Sequence, residues 1–118
     1  MAFERFTLRG RGFKPQVSIW SRGQISFNQG AVRRYKIDKY KYAVLFFDQD
    51  TNRIGIKLTN DDTEDGVQKI GIRKSGVMLA AKSFLEYYDV DFSETRKYTL
   101  QKSDEEAFLL IDLKEQEK

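Results

Sequence analysis

The sequence predicts one mainly β domain of the α+β class, in which two ββαββ units form a pseudo-two-fold β-barrel or interleaved sheet. The length, 118 residues, suits a single domain over residues 1–118 with one core. Short apolar segments that alternate with polar positions are separated by turn residues, which is typical of strands. The order of these segments recurs in the second half of the chain, which indicates an internal repeat.

The first half predicts a hairpin, a helix and a second hairpin. Gly23 lies in the first hairpin turn, and Asn28 is a suitable N-cap for the helix. The polar stretch 48–52 separates the strands of the second hairpin. A further short strand is predicted at 3–8. The elements of the first unit are strands at 17–21, 24–27, 42–47 and 53–58 and a helix at 29–36.

The second half repeats this order after an acidic linker at 59–66. An EF-hand calcium loop needs acidic ligands at alternate positions, a central Gly and a closing Glu, and this linker has no such closing Glu, so the pattern favours a surface segment. The elements of the second unit are strands at 68–72, 77–79, 97–100 and 107–113 and a helix at 81–89.

A shift of 53 positions brings the two halves, 17–58 and 70–113, into register. A unit of this size cannot bury its apolar faces alone, so the two copies are expected to pack against each other. The expected assembly is a monomer with pseudo-two-fold symmetry or a homodimer. The shift places Ile19 on Ile72, Gly23 on Gly76, Ile25 on Met78, Val32 on Leu85, Tyr35 on Tyr88, Ile37 on Val90 and Asp38 on Asp91.

The same patterns predict the core. Val44 and Leu45 are neighbours on one strand and point to opposite faces, so both are buried only if that strand is covered on two sides. The predicted core residues are Val32, Tyr35, Ile37, Val44, Leu45, Ile54, Ile56, Phe84, Leu85, Tyr88, Leu109 and Ile111.

Composition excludes several classes of chemistry. The chain has no Cys and no His, which excludes disulfides, thiolate sites and every nucleophile that a histidine activates. The pairs Asp48 with Asp50 and Asp61 with Asp62 are explained by turn formation. We therefore expect no enzyme activity, no cofactor and no metal site. The sequence has no apolar run long enough to span a membrane and no signal peptide, which favours a cytoplasmic protein without a membrane partner.

Charge is distributed unevenly along the chain. Residues 1–43 contain ten Lys or Arg and two acidic residues, a net charge of +8, whereas the remaining 75 residues carry −5. A basic N-terminal third on an otherwise acidic chain is typical of proteins that bind a polyanion. The alternative is a solvated basic face that the acidic residues balance across the fold.

Two segments are candidates for contacts with nucleic acid. Glycine spacers in RGRGFK (9–14) would let Arg9, Arg11 and Lys14 reach along a phosphate backbone, unless the segment is only a solvated loop. Aromatic residues also alternate with basic ones, as in single-strand binders, although strand alternation with one face in the core explains the same pattern. These residues are Trp20, Arg22, Lys39, Tyr40, Lys41 and Tyr42.

The first unit resembles the AbrB/SpoVT family of swapped-hairpin DNA-binding domains over residues 17–58, with a weaker similarity in 70–113. The resemblance lies in the hairpin with Gly23, the helix that leads to Ile37, and the strands around the acidic turn 48–52. It implies interleaved hairpins with Arg and Lys side chains of one face on DNA. The family usually has Pro at the helix start, where this chain has Asn28 and Gln29. By position, the implied contacts are Arg22, Arg33, Arg34, Arg73 and Lys74.

Together these observations predict a non-enzymatic, DNA-binding regulatory protein. The first alternative is a protein-interaction or structural module without nucleic-acid binding. A second alternative is a protein that binds single strands on a sheet surface and resembles Whirly-type proteins in architecture only. The predicted phosphate-contacting residues are Arg9, Arg11, Lys14, Arg22, Arg33 and Arg34, joined by Arg73 and Lys74.

Overall fold

The computed structural model describes residues 14–73, 76–105 and 107–117, which form nine strands and two short helices. The strands are β1 (Gln16–Ile19), β2 (Gln24–Asn28), β3 (Tyr42–Asp48), β4 (Arg53–Thr59), β5 (Gln68–Lys69), β6 (Gly71–Arg73), β7 (Gly76–Ala80), β8 (Arg96–Lys102) and β9 (Phe108–Glu117). The helices are α1 (Gln29–Tyr35) and α2 (Lys82–Tyr87), and a 3-10 turn (Ile37–Lys39) follows α1.

The predicted elements of both units are present in the predicted order. Their bounds shift by at most a few residues, most at the C-terminal strand, where β9 extends to Glu117. The predicted strand 68–72 is divided at Ile70 into β5 and β6. The strand predicted at 3–8 lies outside the described residues. The prediction of a mainly β fold is confirmed.

All nine strands belong to one antiparallel sheet with the order β5-β3-β4-β9-β8-β1-β2-β7-β6. The two edge strands of this order, β5 and β6, follow one another in the chain. β5 pairs with β3, and β6 pairs with β7. Between them, the Ile70 backbone N–H donates to the Lys41 carbonyl at 2.9 Å. The segment 68–73 thereby nearly closes the sheet into a barrel.

Pairs of strands from the two halves alternate around this barrel. The β1–β2 hairpin lies between β8 and β7, and β4 lies beside β9. Each half therefore provides neighbours for the edges of the other half, and unpaired strand edges are few. One core fills the interior.

The core follows from the alternation along the strands. Val17 and Ile19 on β1 and Ile25 and Phe27 on β2 are at most 1% exposed, whereas the residues between them are partly exposed. Of the predicted core residues, Tyr35, Leu45, Phe84 and Tyr88 are half-buried at its edge, and the others are buried. Buried residues outside the prediction include Val17, Ile19, Ile25, Phe27, Val77, Leu79, Tyr98 and Leu100.

Both faces of the start of β3 are covered, as burial of Val44 requires. Val44 is 6% exposed on the outer side of the sheet, where the acidic linker passes over it. A Cβ at Gly66 of this linker would lie 3.7 Å from Val44 Cγ1. Lys57 Nζ donates to Glu64 Oε1 at 2.6 Å and fixes the linker to β4. Leu45, on the inner side, is only half-buried.

The two helices are held by different means. The predicted N-cap of α1 is confirmed, because Asn28 Oδ1 accepts from the Ala31 N–H at 2.8 Å. α2 has no side-chain cap, and aromatic contacts at its C-terminal end hold it instead. Tyr88, which follows the helix, stacks on Phe47 of β3 with 4.8 Å between the ring centroids. Leu85 is the buried residue of α2.

The 53-residue shift needs a correction at the hairpin turns. Trp20 pairs with Gln24 through a 2.8 Å backbone bond, so three residues form the first turn, with Gly23 at a φ of 88°. In the second hairpin Arg73 pairs directly with Gly76, and the turn is one residue shorter. The 53-residue alignment of Ile25 with Met78 and of Gly23 with Gly76 is therefore wrong. Ile25 faces the core opposite Leu79, while Met78 lies on the outer face.

Replacing Leu85 by alanine is expected to lower the free energy of unfolding by about 2–5 kcal/mol, because the side chain is fully buried. The measurement is equilibrium unfolding in urea. Ser83→Ala, at an exposed position of the same helix, is the matched control and is expected to change stability by less than about 0.5 kcal/mol. A loss below about 1 kcal/mol for Leu85→Ala would contradict the packing of α2 on the barrel.

Candidate nucleic-acid interface

A cleft of about 280 Å³ lies on the outer face of β1, β2 and β7. Because side chains alternate along a strand, Val17 and Ile19 enter the core while Ser18 and Trp20 point into this cleft. Ser26 of β2 pairs with Met78 of β7 and forms the middle of the floor. The sheet cleft, as we call it, is lined chiefly by Ser18, Trp20, Ser26, Arg73, Met78 and Lys97.

Trp20 is held in one orientation at the first end of the sheet cleft. Its indole Nε1 donates to Ser26 Oγ at 2.7 Å, and its backbone is fixed in the turn by bonds to Gln24 and Gly23. The Arg22 guanidinium carbon lies 5.8 Å from the centroid of the ring, within the range of a cation–π contact. The only tryptophan of the chain is thus a partly exposed, fixed aromatic surface beside a cation.

The second half of the chain supplies the cations that line the cleft. Lys97 of β8 pairs with Ser18 of β1, which places it on one flank. Arg73 of β6 pairs with Gly76, which itself pairs with Asn28 at the end of β2, so Arg73 lies on the other flank. No Asp or Glu is among the described residues that line the cleft. The charged side chains that line the cleft are therefore positive, which suits an anion.

Asn28 and Gly76 shape the second end of the cleft. Asn28 Oδ1 accepts from the backbone of Gln16 at 3.1 Å as well as from Ala31, and its Nδ2 donates to the Lys14 carbonyl at 2.8 Å. Gly76 has a φ of 148°, and a Cβ there would overlap the carbonyl oxygen of Phe27. Only glycine lets β7 approach β2 this closely.

The structure brings part of the predicted site together. Arg22 and Arg73 lie at the sheet cleft, and the backbone of Lys14 lies at its Asn28 end. Arg33 and Arg34 are exposed in the last turn of α1, beyond the end of the β1–β2 hairpin opposite to Arg22. The predicted residues Arg9, Arg11 and Lys74 lie outside the described residues. Convergence of the whole predicted set on one face thus stays a prediction.

Sequence reasoning missed Lys97 and Ser26. Both alternate with buried neighbours, since Tyr98 follows Lys97 and Ile25 precedes Ser26, and this alternation was a usable signal. Lys97 and Ser26 lie on either side of Ser18 because β1 pairs with β8 as well as with β2. The order of elements along the chain does not predict the pairing of β1 with β8.

The carboxylates considered as sites form turns instead. Thr51 hydrogen-bonds to Asp48 and lowers the pKa of that carboxyl group, and Thr63 does the same for Asp61. The backbone N–H and hydroxyl of Ser93 likewise lower the pKa of Asp91. Within residues 14–73, 76–105 and 107–117, no group of three or more acidic residues is arranged to hold a metal ion. No helix in this part of the chain is long and apolar enough to cross a membrane.

A second surface lies on the outer face of β3, β4 and β9. Phe46 is 44% exposed, and its ring lies 5.5 Å from that of Phe108. Phe108 covers Gly55, where a Cβ would lie 2.6 Å from its ring. We call this surface, with Leu110, the Phe46 patch; it borders a cavity of about 230 Å³.

Replacing Ser26 by alanine is expected to release the Trp20 indole, because the hydroxyl is its hydrogen-bond acceptor. The free energy of unfolding should fall by about 0.5–1.5 kcal/mol, and the near-ultraviolet circular dichroism of the single tryptophan should weaken. Ser18→Ala, at a neighbouring position of the same face, is the control and should keep the tryptophan signal. An unchanged signal in Ser26→Ala would contradict the fixed orientation of Trp20.

No protein-family model matches the sequence, and neither a curated protein nor a solved structure matches it.

Proposed function

We propose that the protein binds nucleic acid, without catalysis, through the sheet cleft. The observation that carries this proposal is the position of Trp20, fixed by Ser26 in a cleft with Arg73 and Lys97 on its flanks. Fixed aromatic rings beside cations bind bases and phosphates at the same time. Arg pairs with phosphate oxygens through two parallel hydrogen bonds, and Lys acts as a point charge.

Basic residues outside the cleft would strengthen its attraction for a polyanion. The Lys14 backbone lies at the Asn28 end and Arg22 at the Trp20 end, so both residues would add positive charge at the ends of the cleft. Arg9, Arg11 and Lys74 would add positive charge that attracts the ligand from a distance. Most of the affinity would come from release of counterions and would fall steeply with salt.

We also propose that the barrel is a fused pair of related ββαββ units. Its strand order supports this: exchanging β1 with the segment 68–73, β2 with β7, β3 with β8 and β4 with β9 leaves every pairing unchanged. β2 then pairs with its own counterpart, and so does β4, as across the two-fold axis of a dimer.

Local details support the same relation. Leu58 N–H donates to the Ala107 carbonyl at 2.8 Å, and Leu113 N–H donates to the Asn52 carbonyl at 3.1 Å. The two bonds are equivalent at a shift of 55 residues, which relates Leu58 to Leu113 and Asn52 to Ala107. Asn52 and Ala107 also share a left-handed backbone, with φ of 56° and 57°. The residues that end the helical regions, Lys36 and Asp89, each have a φ of 54°.

The proposed relationship with AbrB/SpoVT-like domains rests on the interleaving of these hairpins. The β1–β2 hairpin is inserted between strands of the second half, as the resemblance implies. A role in transcription regulation would follow from that relationship. The binding surface proposed here differs from the implied one, because Lys97 and Trp20 take part while Arg33 and Arg34 lie beyond the hairpin.

The Phe46 patch favours a second candidate function, a protein-interaction module. Its apolar rings are accessible on a sheet face, where isolated exposed residues would need no explanation but a pair in contact suggests a docking surface. This function predicts no binding of nucleic acid, even at low salt.

Replacing both Arg73 and Lys97 by alanine tests the proposed function. If each contacts a phosphate, the slope of log affinity against log salt should fall by about 1.4–1.8, and binding should weaken most at low salt. The measurement is fluorescence anisotropy of labelled oligonucleotides at several salt concentrations.

The matched control is Lys102→Ala with Lys114→Ala, which removes the same charge from exposed positions away from the cleft. It should change the slope far less. Equal effects of the two double variants would contradict a specific role of the cleft. Absence of binding to any nucleic acid at low salt would refute the proposed function and favour the interaction module.

A further inference from the structure

We infer that the ligand is single-stranded nucleic acid, with one unstacked base packed against Trp20 in the sheet cleft. This inference rests on the proposed function and adds the class of nucleic acid and the contact that selects it.

The shape of the site favours a single strand. A duplex is read by protruding elements, a helix or a β-ribbon that enters a groove about 12 Å wide. The site is instead a concave cleft of about 280 Å³, lined by Trp20, Ser18 and Met78. A duplex is too wide to enter it and would contact only the rim of the cleft. This volume is slightly below the roughly 300–1,000 Å³ typical of small-molecule sites, so it suits one base with its sugar.

The floor of the cleft has groups for the edge of a base. Ser26 Oγ accepts from the Trp20 indole, and the same hydroxyl group carries an O–H that can donate. Ser18, also partly exposed, lies directly opposite Ser26 in the β1–β2 pairing. A base that stacks on the indole would therefore meet two adjacent hydroxyl groups, which can donate to or accept from any base.

The cations are spaced for a strand that crosses the cleft. Arg73 lies on β6 and Lys97 on β8, four strand positions apart in the sheet. At roughly 4.8 Å per strand this is about 19 Å between the two backbones, followed along the curved sheet. Successive phosphates of a single strand are closer together than this. Arg73 and Lys97 would thus contact different phosphates on either side of the inserted base.

The single tryptophan makes the inserted base directly observable. The probe is an oligothymidylate of about 12 nucleotides at low salt, titrated into the unaltered protein while Trp20 emission is recorded. We expect saturable quenching of Trp20 emission. A matched oligonucleotide whose sugars carry no bases should bind through its phosphates, more weakly, and leave the emission nearly unchanged.

A titration with duplex DNA tests this inference separately from the proposed function. A duplex of the same length should bind more weakly and quench little. If the duplex binds as tightly as the single strand, or if the abasic strand quenches equally, base insertion is refuted while nucleic-acid binding stands. If thymidine monophosphate binds as tightly as the oligomer, a bound strand is refuted. If none of the nucleic acids binds, the proposed function itself fails.

A variant gives an independent readout by anisotropy. Trp20→Leu should weaken single-strand binding by roughly 5- to 150-fold and leave duplex binding nearly unchanged. Phe46→Leu, which removes an exposed aromatic ring from the outer face of β3, β4 and β9, is the control and should not change either affinity. Unaltered single-strand affinity in a folded Trp20→Leu would refute the inference. If that variant does not fold, the quenching experiments with the unaltered protein decide.

Discussion

The fold depends on the strand pairing between the two halves. β2 with β7 and β4 with β9 are the central pairs that join residues 14–59 to residues 68–117. Without them each half would expose unpaired backbone donors and acceptors along two strand edges and one apolar face. Their inward residues, such as Ile25 opposite Leu79 and Ile54 opposite Ile111, are fully or almost fully buried. Hydrogen bonding and burial therefore both require that the halves fold together.

The sheet cleft is a consequence of this pairing. Trp20 and Ser26 come from the first half, whereas Arg73, Met78 and Lys97 come from the second. The one-residue difference between the hairpin turns also matters. It places Met78 outward beside Ser26 and keeps Leu79 in the core, so the two halves present different residues to the cleft. The cleft is therefore asymmetric, with its aromatic ring from the first half of the chain and the cations that line it from the second.

Most of the fold could be predicted from the sequence because the local patterns are strong. Alternation, the Asn28 cap and the turn residues predicted the elements, and these elements form one sheet. The contacts across the cleft could not be predicted in the same way. They depend on which strands become neighbours, and Lys97 meets Ser18 only through a pairing of residues distant in sequence. The equivalence of Gly23 and Gly76 failed because identical letters concealed turns of different length.

Native-state hydrogen exchange in increasing urea tests most directly whether the halves form one cooperative barrel. The amides of Ile25 and Leu79 in the β2–β7 pair and of Ile54 and Ile111 in the β4–β9 pair are the reporters. Interdependence predicts that all four exchange through the same global opening, with the same free energy and the same dependence on urea. Loss of protection in one half at a urea concentration where the other half remains protected would contradict the account.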